Sequence, residues 1–271
     1  WELARKLLSD VDGFHSSVPF DGVVHDAALR AGDISKLLDI RNVAALTPEE
    51  EARIAGSIKI FLVPEDDKER FRIIKWPIYY NLFYGHDTVP PITKATRDSA
   101  RRAIRLASGA LTLDLAAEFD QFLLEYNVTM CQVFRVRDTL YRNLRLPMGG
   151  RHSSFVGTAL LHVLCDFAVG DVIVDTATDA ARFAGDEENV VEAAWTFVQR
   201  CRTVGAHLND VDCDTVTKEQ LRSMYRTSDA DFFGEVADYN RKTVRCRDKH
   251  VKKLTAAFHT AQRADATFAD L

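Results

Sequence analysis

No apolar run in this sequence approaches the roughly 20 residues that a membrane-spanning helix needs, and the stretch from Trp1 to Asp10 lacks the long apolar core of a secretory signal. A soluble protein or soluble domain with no membrane partner is expected. The five cysteines, Cys131, Cys165, Cys201, Cys213 and Cys246, contain no C-x-x-C pair, so neither a zinc ribbon nor a dithiol redox motif is implied. Their odd number and wide spacing fit reduced thiols inside a cell. The eight histidines form no i, i+4 pair with a nearby acid, which removes a zinc hydrolase, and His152 and His162 read as packing or surface residues. Walker, G-x-G-x-x-G and G-x-S-x-G loops are missing, and Met148-Gly149-Gly150 is too short to cradle a phosphate. Fixed-period repeats and low-complexity tracts are absent too.

A net positive charge is also lacking, since 40 acidic residues outnumber 35 lysines and arginines. The net charge is −5 and the pI about 5.9, whereas proteins that live on nucleic acid usually carry a basic footprint. Any such role must rest on local patches. The stretch holding Arg241, Lys242, Arg245, Arg247, Lys249, Lys252 and Lys253 either lines a groove or is a solvated face.

What the chain does have is length and apolar content. With 271 residues at 46% hydrophobic composition, it can bury a sizeable core. The first 55 residues read as helical, and Thr47-Pro48-Glu49-Glu50 carries a helix start, with Thr47 as N-cap, Pro48 at the first position and Glu50 closing a capping box over a helix to about Ile54. The β-prone runs Ser57 to Val63 and Phe71 to Trp76 flank a charged turn and predict a hairpin. After a Pro- and Gly-rich loop from Gly85 to Pro91, helical spacing returns over Arg97 to Leu106, and a strand is expected from Ala110 to Leu115. Phe155 to Phe167 reads as a buried helix, Val172 to Val174 as the start of a strand, and Glu188 to Thr203 as an amphipathic helix. A hairpin around Asn240, joining Asp231–Val236 to Thr243–Cys246, and a helix from Lys249 to Phe258 complete the pattern. Helices mixed with hairpins indicate α+β rather than a doubly wound sheet.

Several blocks fall in an order that resembles reverse transcriptases. Leu113-Asp114-Leu115-Ala116-Ala117-Glu118-Phe119 is similar to the first palm motif, a strand-end Asp followed by a helix start. Leu146-Pro147-Met148-Gly149-Gly150 resembles the LPxG motif before the palm helix, and Ala177-Thr178-Asp179-Ala180 sits where the family places its Tyr-x-Asp-Asp hairpin. The segment Val204 to Cys213 resembles AGxxLNxxKC, Asp231 to Val236 the primer-gripping hairpin, and Glu69 to Ile74 the fingers strand. Coverage is roughly residues 57–258, and among subfamilies the likeness is to retrotransposon enzymes of the tyrosine-recombinase type.

The resemblance implies an N-terminal helical extension (1–56), fingers (57–110), a palm with a small antiparallel sheet packed on helices (111–248), and a C-terminal helix opening a connection or thumb (249–271). It implies that Asp114 and Asp179 are catalytic and hold two Mg²⁺ ions, because magnesium takes hard oxygen ligands. It places Arg72 on the incoming triphosphate, Phe119 where an aromatic ring would exclude a ribose 2′-hydroxyl, and Gly149 in the substrate-binding turn. Phe119 alone also reads as a core residue.

Against the family pattern, the third acid is Ala180, the hairpin Tyr is Ala177, and Asp212 stands where Lys is usual; the fingers lysine is missing, so that Lys68 or Lys75 would have to serve. Asp175 and Asp186 flank the hairpin as possible substitutes. Two readings follow. One is an impaired or inactive reverse-transcriptase-like domain kept as a nucleic-acid- or protein-interaction module, with a protein partner. The other is an active RNA-directed DNA polymerase on RNA or an RNA/DNA hybrid. Both place the chain in the nucleus or another nucleic-acid-containing compartment.

Overall fold

The structure is a computed structural model that describes residues 20–65, 70–77, 80–81, 95–232 and 234–261. In chain order its elements begin with helix α1 (Ala31–Asp39), strand β1 (Val43–Ala45), helix α2 (Pro48–Glu51), and strands β2 (Lys59–Glu65) and β3 (Arg70–Trp76). Helix α3 (Arg97–Leu106) and strand β4 (Gly109–Asp114) precede a 3-10 turn (Glu118–Gln121), helix α4 (Tyr126–Met130), strands β5 (Val133–Val136) and β6 (Thr139–Asn143), and helix α5 (Ser153–Leu164). The rest comprises β7 (Ile173–Thr176), β8 (Ala180–Gly185), α6 (Glu187–Val204), α7 (Lys218–Met224), β9 (Ala230–Phe232), β10 (Glu235–Asp238), β11 (Thr243–Cys246) and α8 (Asp248–Ala261). Among the described residues the strands form four small antiparallel sheets, β1-β6-β5, β2-β3, β4-β8-β7 and β11-β10-β9. This is the α+β class expected from the mixture of hairpins and helices. No helix among the described residues is long and apolar enough to cross a membrane.

The chain divides into two compact units, residues 1–92 with 117–160 and residues 93–116 with 161–271. In the first, Ile34 and Leu37 of α1 pack with Val43, Ile58, Ile60 and Phe134. The expected β2–β3 hairpin is present in register, from Lys59 opposite Trp76 to Glu65 opposite Arg70. Side chains alternate across such a ladder, so Ile60 and Lys75 point inward together while Val63 and Arg72 share the exposed face. The capping box at Thr47 forms as read, with the Thr47 side chain accepting from Glu50 N–H. Its helix, however, stops at Glu51 rather than near Ile54, and soon after it the Ala55 N–H donates to the Met130 carbonyl. The N-terminal stretch is likewise not all helix. Val43–Ala45 is a strand because it finds β6 as a partner, and tertiary pairing overrides local propensity. The loop from Gly85 to Pro91 and Lys68 lie outside the described residues.

In the second unit β8 is the central strand, buried from Ala181 to Gly185, and α6 turns Val190, Ala194, Phe197 and Cys201 inward. Helix α3 matches its expected span and buries Ala100, Ala103 and Ile104. Gly109 starts β4 beside Tyr225, where an added Cβ would lie 2.4 Å from the ring, so no other residue fits. Directly opposite each other on β7 and β8, Asp175 and Arg182 form a buried ion pair. The Arg182 guanidinium also stacks 4.5 Å from the Phe232 ring centre. The segment from Asp231 to Val236 is not a single strand. It breaks at Gly234, whose φ of +73° is a conformation side chains disfavour, so β10 and β11 form the expected hairpin around Asn240, with Asp238 opposite Thr243, and β9 joins β10 as a separate third strand.

Candidate functional site

Strand β4 ends at Asp114, and three backbone connections fix what surrounds it. Leu115 N–H donates to the Asp179 carbonyl at 2.7 Å, which ties the β7–β8 turn to the end of β4. That turn is closed by Ala177 N–H donating to the Ala180 carbonyl, also at 2.7 Å. From the loop after α6, the Ala116 N–H reaches the His207 carbonyl at 2.9 Å and Asn209 N–H donates to the Asp114 carbonyl at 2.9 Å. The Asn209 side-chain amide adds a bond of 3.4 Å to the Leu115 carbonyl. Asp114, Asp179 and Asp210 are thereby gathered at one end of the β4-β8-β7 sheet.

The electrostatics follow from this gathering. Asp114 is half-buried, and its carboxyl is pushed up to about 6, first by burial and then by the negative charges of Asp179 and Asp210. The cation acting in the opposite direction is Arg247, which is itself bound to Asp231 at 2.7 Å. Asp179 is exposed. Such a concentration of acid attracts a proton or a hard divalent cation, and carboxylate oxygens are the donors magnesium takes. Among the described residues, however, no group of three or more His, Cys, Asp or Glu side chains is arranged to hold a metal ion. The donors suit such a cation in kind.

Ala180 is the cross-strand partner of Asp114, so its methyl stands on the face of the sheet where a further carboxylate would meet Asp114. Neither flanking acid fills the gap. Asp175 is committed to Arg182, and Asp186 caps α6 by accepting from Asn189 N–H. Asp212 is exposed and accepts from Asp214 N–H in a local turn. Asp210 was not singled out by the sequence, because its approach depends on the Asn209–Asp114 bond between distant segments.

The remaining candidates, Arg72, Phe119 and Gly149, belong to the first unit. Arg72 lies on the exposed face of β3, and half-buried Phe119 sits in the 3-10 turn. Gly149 approaches the end of β3 so closely that an added Cβ would lie 3.2 Å from the Lys75 carbonyl, and Asn81 Nδ2 donates to the Gly149 carbonyl at 2.9 Å. Lys75 is buried and bound to Asp120 at 3.0 Å, so it does not stand beside Arg72 as a second phosphate contact.

The three arginines of the basic C-terminal stretch are paired locally. Arg245 pairs with Asp229 and Asp248, Arg247 with Asp231 and Arg241 with Asp238, while Lys242 donates to the Ala107 carbonyl.

No family model matches the chain, and no curated protein matches it. Solved structures do. A foamy viral protease-reverse transcriptase in complex with double-stranded DNA is similar over 89% of this chain and 39% of its own, with a TM-score of 0.61 at 16% identity. A second such complex covers 94% of this chain and 54% of its own, with a TM-score of 0.57 at 16% identity. The protease-reverse transcriptase of prototype foamy virus aligns over 71% of this chain and 25% of its own, with a TM-score of 0.53 at 18% identity. The chain thus spans between a quarter and little more than half of the length of these three structures. At these identities the likeness is one of fold, and the fold is reverse-transcriptase-like: mixed α and β with small antiparallel sheets.

Proposed function

We propose that this chain is the fingers-and-palm part of a retrotransposon reverse transcriptase, of the tyrosine-recombinase type, that binds primer–template and deoxynucleotide but extends poorly or not at all. The observation that carries the reading is the pairing of Asp114 with Asp179 at a sheet end where Ala180 faces Asp114 across the ladder. In this reading residues 57–110 act as fingers, 111–248 as palm, and 249–271 open a connection or thumb. Asp114 and Asp179 would hold divalent magnesium, which when bound supplies Lewis acidity and charge for phosphoryl transfer. Arg72 would pair with triphosphate oxygens and Phe119 would exclude a ribose 2′-hydroxyl. Duplex binding is supported by the fold neighbours solved with DNA. A catalytically silent chain would serve as an interaction module with a protein partner in a nucleic-acid-containing compartment.

One observation favours the alternative of an active polymerase: Asp210 acts electrostatically on Asp114 and offers acid the hairpin lacks. The test is electrophoretic retention of a DNA primer on an RNA template, followed by extension with Mg²⁺ or Mn²⁺. Retention with extension slowed on the order of a hundredfold or more, the scale of a lost metal contact, is expected. Absence of retention refutes the nucleic-acid role, and brisk extension favours the alternative.

A further inference from the structure

We propose that the ion pair between buried Lys75 and half-exposed Asp120 is a positioning device for sugar selection, pinning the turn that carries Phe119 onto the strand that carries Arg72. The inference rests on the proposed function, since it assigns a cause to the deoxynucleotide preference of that site.

All the residues concerned lie in one compact unit. Lys75 and Arg72 are three positions apart on β3 and therefore point to opposite faces. Arg72, opposite Val63, is exposed, whereas Lys75, opposite Ile60, is 6% exposed. The inward lysine reaches Asp120 with its Nζ 3.0 Å from Oδ1. Burial depresses the Lys75 ammonium and Asp120 opposes that depression. Burying a lysine is seldom the most stable solution, because an apolar side chain of similar volume serves as well or better. What it adds is direction: a charged bond holds one atom of β3 to one atom of the next segment.

That segment needs holding. The 3-10 turn Glu118–Gln121 is entered through Ala117 at φ +43°, a left-handed conformation that persists only where its surroundings impose it. Asp120 N–H donates to the Ala117 carbonyl at 2.8 Å, so the residue that grips Lys75 also closes the strained turn. Phe119 lies between them in sequence. On the other side of β3, Gly149 abuts the Lys75 carbonyl and the Trp76 Cα, so strand, turn and LPMGG loop meet at Lys75. Releasing the pair leaves Arg72 on its face of the hairpin but frees the Phe119 turn. An aromatic wall that can move discriminates less between hydrogen and hydroxyl at the 2′ position.

The test uses an RNA template with a dideoxy-terminated DNA primer, so no chemistry is needed. Affinities for dATP and ATP opposite a template uridine, with Mg²⁺, are measured for the wild-type chain, for Asp120→Asn, and for the double replacement Lys75→Met/Asp120→Leu. Asp120→Asn keeps the shape but leaves the Lys75 ammonium without its carboxylate, whereas the double variant leaves no buried charge unpaired and is the one expected to retain the fold. The wild type is expected to prefer dATP, and both variants to bind the duplex normally while losing about tenfold of that preference, the size of a displaced pocket wall. If the variants weaken dATP and ATP equally, or only lower the melting temperature, the pair is structural and the inference is overturned while the proposed function stands. A wild-type chain that binds both nucleotides alike also overturns it. A wild-type complex that holds duplex but takes up no nucleotide overturns the inference and the nucleotide-binding part of the proposed function together.

Discussion

Asp114 is where chemistry and stability oppose each other most plainly. Its folded-state pKa of about 6 lies above the ordinary value near 3.9 for an unfolded Asp. Between those limits the native state binds more protons than the unfolded one, so stability falls as pH rises through the window from about 4 to about 6. Asp114→Asn removes the charge that burial, Asp179 and Asp210 penalise. Thermal scans are therefore expected to show a higher midpoint for this variant above pH 6 and no difference below pH 4; a lower midpoint at neutral pH contradicts the account. Gly157 makes a second prediction. A Cβ there would lie 1.6 Å from Glu118 Oε1, so Gly157→Ala is expected to cost about 1–3 kcal/mol in urea denaturation, as overpacking does. Asp114 and Asp179 were legible from motif order alone. Asp210 and the Gly157–Glu118 approach were not, because each joins segments whose meeting is decided by tertiary bonds.

Among the elements, the β7–β8 hairpin depends on the buried pair of Asp175 and Arg182, which also gathers Ala100 and Phe232. Removing one partner leaves a buried charge alone, so Asp175→Leu or Arg182→Met is expected to lose about 3–5 kcal/mol in chemical denaturation, whereas the combined replacement is close to neutral. Equal losses in single and double variants would show that the charge itself is not what matters. The hairpin of β2 and β3 was readable because two β-prone runs flank a Pro-Glu-Asp turn, and α3 and α6 were readable from their helical period. The β5–β6 hairpin escaped notice because its turn places Arg137 at φ +54° with no Gly or Asn to signal it. The break at Gly234 was missed for the opposite reason: a lone glycine in a strand-like run has several meanings, and here it sits against His250, 2.6 Å from where a Cβ would be.

For the molecule as a whole, an acidic chain with a reverse-transcriptase-like fold keeps most of its C-terminal arginines in local ion pairs rather than offering them to phosphates. Overall architecture was legible because the order of the motifs constrains it more than any single residue does. The make-up of the acidic cluster was less so, since counting acids along the chain leaves open which are committed elsewhere, as Asp175 and Asp186 are. In the function proposed here, the lack of an acid at position 180 is what limits the site. This claim is tested most directly by primer extension on an RNA template with Mg²⁺, comparing the wild-type chain with Ala177→Tyr/Ala180→Asp. A gain on the order of a hundredfold or more in the double variant is predicted, the scale of a restored metal contact. Equal extension by the two chains, whether both brisk or both undetectable, would contradict it.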